Sequence, residues 1–342
     1  MATNLSVERA RRLPCDVAWL AAGLHAALFV ATTFLQLLPL LIGSEVLRNH
    51  YAMPSVWIPL LFHAGATGLL AATLAWSHAR HALDERGAAS LARILNPGSR
   101  FALTYLGVLV LQAFVLSPLL FRLEMRFMPD GSLEALFGVV TVRSRMVTAM
   151  LIQSIVHAVV LVAGVWFAAW FALRKGGRTV QAGEADCAAE NSDAIVSPRR
   201  AIACVGAAVF VWLQLWTGSI ALRWSDAHAG MDARPLLLGW VAISLLAGML
   251  AFWGAWLGAA SQAARAEAHP FRAVAAAALA FVLLQLTCTG IAAGWMLWIT
   301  RDVGLPGGSK MLDYIVALAA IYLVLLVMLM RGVTRWFYRR YV

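Results

Sequence analysis

Along the chain, long apolar runs alternate with short polar segments that carry arginine, and the alternation repeats from Val17 to Met330. The runs are Val17–Ile42, Val56–Ser77, Phe101–Phe121, Met146–Leu173, Ala201–Leu222, Pro235–Ala260, Ala273–Ile299 and Leu312–Met330. Each is about twenty residues or longer, the length of helix that crosses the ~30 Å hydrocarbon core of a bilayer. A helix satisfies its backbone polar groups within one segment, and these runs lack the two-residue alternation of barrel strands. The expected fold is all-α, a polytopic transmembrane helix bundle of eight spans.

One composition break, RKGGRTVQAGEADCAAENSDAIVSPRR at 174–200, is polar and rich in Gly, Ala and Ser. It reads as a flexible cytoplasmic linker. The expected organisation is an N-terminal four-helix half at 1–178, a linker at 179–198 and a C-terminal four-helix half at 199–342. Four is even, so the two halves face the membrane in the same sense and any duplication is a parallel repeat. The odd-numbered spans each contain a Leu-Gln pair, with Gln36, Gln112, Gln214 and Gln285. That recurrence suggests an ancestral two-helix unit. The plainer reading of each amide is a hydrogen bond across helices, worth about 1 kcal/mol.

Composition agrees with a membrane chain: 62% of residues are hydrophobic and 13% charged. Lys and Arg set the orientation. With a cytoplasmic N-terminus, 18 of the 27 basic residues fall on the inner side and 9 on the outer. The positive-inside rule therefore places both termini in the cytoplasm. The net charge of +10 is accounted for by topology and by anchoring to an anionic inner leaflet, not by nucleic acid. The Arg-rich C-terminal tail, interleaved with Trp336, Phe337, Tyr338 and Tyr341, reads as an interfacial belt. Arginine outnumbers lysine 25 to 2, which suits a GC-rich bacterial genome and hence the cell inner membrane. The first run is too long for a cleavable signal peptide and is expected to stay as a signal anchor.

Candidate chemistry is sparse. No Asp, Glu, Lys or Arg lies mid-span, which disfavours a carboxylate-driven proton path or a voltage sensor. Cys15, Cys187, Cys204 and Cys288 are spaced too widely for a zinc site or a disulfide framework. His50, His78, His81, His228 and His269 are scattered over loops and interfaces. Inside the spans lie His25, His63 and His157. His63 and His157 form the candidate pair for haem b or quinone electron transfer, with Gln153 one helical turn before His157. A lone membrane histidine more often hydrogen-bonds a neighbouring helix. Ser154 and His157 have no acid partner, so no catalytic residue is assigned and no enzyme is expected.

Pro39, Pro59 and Pro118 interrupt the first three spans, and a broken helix frees carbonyls that can line a polar cavity; the plainer reading is that each falls near an outer end, where kinks cost little. Gly254–Gly258 and Gly290–Gly294 are GxxxG pairs that allow close helix approach, either within the bundle or in a homodimer. Residues 80–96 suit a short helix on the inner leaflet, ended by Asn96-Pro97-Gly98. The outer stretch 123–145 is long enough for a short interfacial or re-entrant helix after the Pro129-Asp130-Gly131 turn.

Three functional classes follow. The leading one is a transport-related protein, a permease or membrane subunit for a neutral or lipophilic solute or a lipid. Its candidate cavity-lining residues are Gln36, Gln112, Gln153, Gln214 and Gln285, with no cofactor and no metal. The second is the haem or quinone carrier with His63 and His157. The third is a non-catalytic structural or immunity-type partner of another membrane protein.

Overall fold

A computed structural model describes residues 7–52, 54–127, 142–174, 198–225, 233–259, 269–302 and 308–339. These form α1 (Val7–Gly43), α2 (Glu45–Tyr51), α3 (Pro54–Arg86), α4 (Ala88–Ala92) and α5 (Pro97–Leu111). A π-helical turn (Gln112–Leu116) joins α5 to α6 (Ser117–Phe127). Then come α7 (Val142–Leu173), α8 (Pro198–Ser225), α9 (Ala233–Ala259), α10 (Pro270–Asp302) and α11 (Gly308–Tyr338). Among the described residues no strand occurs, and 8 helices are long and apolar enough to cross a membrane. The protein is an all-α, multi-pass integral membrane protein.

By contacts the chain divides into two compact units, 1–187 with 215–240, and 188–214 with 241–342. Two of the three boundaries thus fall inside α8 and α9. The interior of the expected linker and the turn of the 123–145 stretch lie outside the described residues.

In the first unit, α1 packs on α3, α4 and α5, and α7 packs on α3 and α5. The helix α1 has 37 residues and so extends about 55 Å, well beyond the hydrocarbon thickness. Its start precedes the expected Val17 because Ala10, Leu13, Val17 and Ala21 recur at three- and four-residue spacing and are all buried. An exposed Glu8–Arg12 pair at 3.1 Å sits on the same turns. Gly164 lets α7 approach α5, since a Cβ there would lie 2.5 Å from Val108 Cγ1.

The region 80–96 is arranged differently from a single surface helix. α3 continues to Arg86, held by i, i+4 pairs Arg80–Asp84 and His81–Glu85. Gly87 then adopts a φ of 74°, open to glycine at little cost, and breaks the helix. The short α4 buries Leu91 and Ala92, with Ile94 buried just beyond it. Asn96, at φ 46°, takes a left-handed conformation as the residue before α5, and Pro97 begins that helix.

In the second unit the Gly254–Gly258 pair is filled from within. A Cβ on Gly254 would lie 2.7 Å from Met330 Cβ, and one on Gly258 would lie 2.6 Å from the Arg331 carbonyl. The backbone of α9 therefore rests directly on α11. Gly206 of α8 faces Met330 and Ala255 at 3.3 and 3.6 Å, and Phe210 meets Phe281 of α10 edge-on. Among the described residues, nothing lies within 4 Å of the corresponding positions at Gly290 and Gly294.

Candidate functional site

Two of the candidate glutamines meet in the second unit. Gln214 of α8, Gln285 of α10 and Tyr322 of α11 form a closed hydrogen-bonded triangle. The Tyr322 hydroxyl donates to Gln214 Oε1 at 2.8 Å. Gln285 Nε2 donates to Gln214 Oε1 at 3.4 Å and to Tyr322 Oη at 3.3 Å. Tyr322 has a single proton and gives it to Gln214, so Gln285 must present its NH2 to the other two groups. Its Oε1 then points away from the triangle and makes no hydrogen bond among the described residues. All three side chains are half-buried. The arrangement is a neutral patch, with donor and acceptor both present, among largely apolar helices.

The first unit holds a second polar cluster, built on the π-helical turn. Pro118 has no N–H for an α-helical bond to the carbonyl of residue 114, and the chain widens just before it. The Ser117 backbone N–H bonds the Gln112 carbonyl, and the Ser117 hydroxyl donates to the same oxygen at 2.9 Å. That hydroxyl also lies 3.0 Å from His157 Nε2 on α7. A hydroxyl has one proton, and Gln112 O can only accept it. For both bonds to form, His157 must donate from Nε2, which leaves the electron pair on Nδ1. A metal or haem iron taking Nε2 would have to displace Ser117.

The other candidates are placed apart from these contacts. His63 is exposed on α3, and its backbone carbonyl accepts from Thr67 Oγ1 at 2.8 Å. Gln153 is half-buried one turn before His157, with no hydrogen-bond partner among the described residues. Gln36 lies on α1, but its side chain falls outside the described residues. Gln112 Oε1 is buried without a hydrogen-bond partner among the described residues. Among the described residues no group of His, Cys, Asp or Glu is arranged to hold a metal ion, and Cys15, Cys204 and Cys288 are free.

Three participants were missed by sequence reasoning: Tyr322, Ser117 and Tyr105. Tyr322 had a usable signal, since a tyrosine mid-span, away from the interfacial belt, needs a partner for its hydroxyl. Ser117 was hidden by 40 residues of separation from His157. Tyr105 is fully buried on α5, stacked on Phe101 and edge-on to His25 with centroids 5.8 Å apart. Neither its hydroxyl nor His25 Nε2 has a hydrogen-bond partner among the described residues.

α1 and α3 run helical through Pro39 and Pro59, so the backbone opens only ahead of Pro118. The chain matches no protein-family model, no curated protein and no solved structure.

Proposed function

We propose that this is a transport-related protein, acting as a permease or membrane subunit for a neutral or lipophilic solute or a lipid. On this reading it lies in the cell inner membrane with both termini cytoplasmic, and it does no covalent chemistry. The observation that carries the reading is the Gln214–Gln285–Tyr322 triangle. Three helices each contribute one neutral polar group, and the triangle leaves an acceptor, Gln285 Oε1, turned outward. A solute with a hydroxyl or amide N–H finds a partner there without the desolvation cost that a charged site would impose on a membrane. Transporters commonly bind solute where polar groups from several spans converge inside the bilayer.

Stopped-flow light scattering of proteoliposomes tests this with glycerol and urea as neutral probes. After an osmotic step, vesicles holding the protein should re-swell faster than protein-free vesicles for at least one probe. Gln285→Leu should slow that phase by about tenfold, since a lost hydrogen bond that leaves a buried polar group unpaired costs about 1–3 kcal/mol. Identical traces with and without protein for both probes would contradict the permease reading.

A further inference from the structure

We propose that the end of the first unit where α7 stops is a binding site for an anionic phospholipid. Arg86, from the end of α3, donates from Nη1 to the Leu173 carbonyl at 2.7 Å. Arg100, from the first turn of α5, donates from Nη2 to the Phe171 carbonyl at 3.1 Å, and its guanidinium lies 5.2 Å from the Phe171 ring centroid. Arg174, the next residue after α7, sits 5.2 Å from the Trp170 ring centroid. Three guanidinium groups from three segments thus gather around one helical turn.

Among the described residues, the local charge is positive. The nearby carboxylates are engaged elsewhere, Asp84 with Arg80 at 3.1 Å and Glu85 with His81 at 3.3 Å. Among the described residues, Arg86, Arg100 and Arg174 touch no carboxylate. The carbonyl end of α7 supplies a partial charge of about −0.5, set against three full positive charges. Each guanidinium has five N–H donors, and Arg86 and Arg100 each use one on the helix carbonyls. The remaining donors suit phosphate oxygens, which guanidinium groups bind in a paired, planar geometry.

The wall beside this charge is apolar. Trp166, Phe167, Trp170 and Phe171 lie on one face of α7, each between 40% and 45% exposed. Trp166 and Trp170 stack, as do Phe167 and Phe171. A ladder of rings running away from a cluster of arginines fits one acyl chain below one headgroup. The same end of the unit is the one that the basic-residue distribution assigns to the inner leaflet. This inference is independent of the permease reading.

Native mass spectrometry of the full chain in detergent, titrated with dioleoylphosphatidylglycerol or dioleoylphosphatidylcholine, is the test. The glycerol lipid should bind about tenfold more tightly than the choline lipid. The combined variant Arg86→Gln, Arg100→Gln and Arg174→Gln should lose that preference. Arg86 and Arg100 also cap α7, so Arg174→Gln alone, which breaks no hydrogen bond among the described residues, is the cleaner arm. It should weaken the anionic lipid roughly fivefold with unchanged helical circular dichroism. Arg331→Gln with Arg335→Gln and Arg339→Gln should leave it unchanged. Equal binding of both lipids, or an undiminished preference in the variants, would overturn the proposal. Displacement of the lipid by millimolar inorganic phosphate would do so too, by marking a free-anion site.

Discussion

Tyr322 organises the second unit's polar triangle because its one hydroxyl both donates and accepts there. It gives its proton to Gln214 and takes one from Gln285. Replacing it with phenylalanine keeps the ring and removes both bonds. Bonds of this kind inside membranes average ~0.6 kcal/mol each, so Tyr322→Phe should lower stability by about 1 kcal/mol. Equilibrium unfolding in detergent checks the value. A loss within error of zero would mean that the triangle does not form. Ser117 plays the comparable part in the first unit, where its hydroxyl ties the π-helical turn to His157. That bond decides which imidazole nitrogen keeps its electron pair, and so which chemistry His157 can offer.

Among the elements, the two GxxxG pairs show that one motif can have different environments. Gly254 and Gly258 meet the backbone and side chains of α11, whereas Gly290 and Gly294 face open space. Sequence alone presents them as equivalent, because spacing says that close approach is possible and not which helix makes it. A leucine at Gly254 would have to displace Met330 and the Val327 carbonyl. Overpacking of this order costs about 1–3 kcal/mol, so Gly254→Leu should lower the detergent melting temperature clearly. Gly290→Leu should change it little, as an exposed substitution away from packed contacts. Equal losses at both sites would show that the face around Gly290 is packed as well.

Helix ends are harder to read than helices for a related reason. The spans are legible because an uninterrupted apolar run of about twenty residues is stable chiefly as a helix in lipid. The first ten residues of α1 are not, since its buried Ala10 and Leu13 sit among Glu8, Arg9, Arg11 and Arg12 and depend on tertiary packing to be recognised. Likewise α3 outruns its apolar stretch to Arg86, because its polar last turns are stabilised by i, i+4 pairs and not by lipid.

At the scale of the whole molecule, eight apolar helices make a membrane protein with very little charge inside its spans. Such a chain has few ways to engage a ligand, and neutral amides and phenols at mid-span are the principal ones. Gln214 and Gln285 are legible as candidates because an amide in an apolar run is conspicuous. Their meeting is not, because 71 residues separate them and only the packing of α8 against α10 and α11 joins them. The account rests on Gln285 facing a path that water and solute reach, not a sealed interface or lipid. Cysteine accessibility decides this, with Cys15, Cys187, Cys204 and Cys288 changed to serine and a single cysteine placed at Gln285 or at its apolar neighbour Leu286, which is 65% exposed. In intact proteoliposomes, a charged methanethiosulfonate reagent should modify Gln285→Cys at least about tenfold faster than Leu286→Cys, because thiolate forms only where water reaches. If Gln285→Cys reacts no faster than Leu286→Cys, the triangle is packing within the bundle and the transport reading fails.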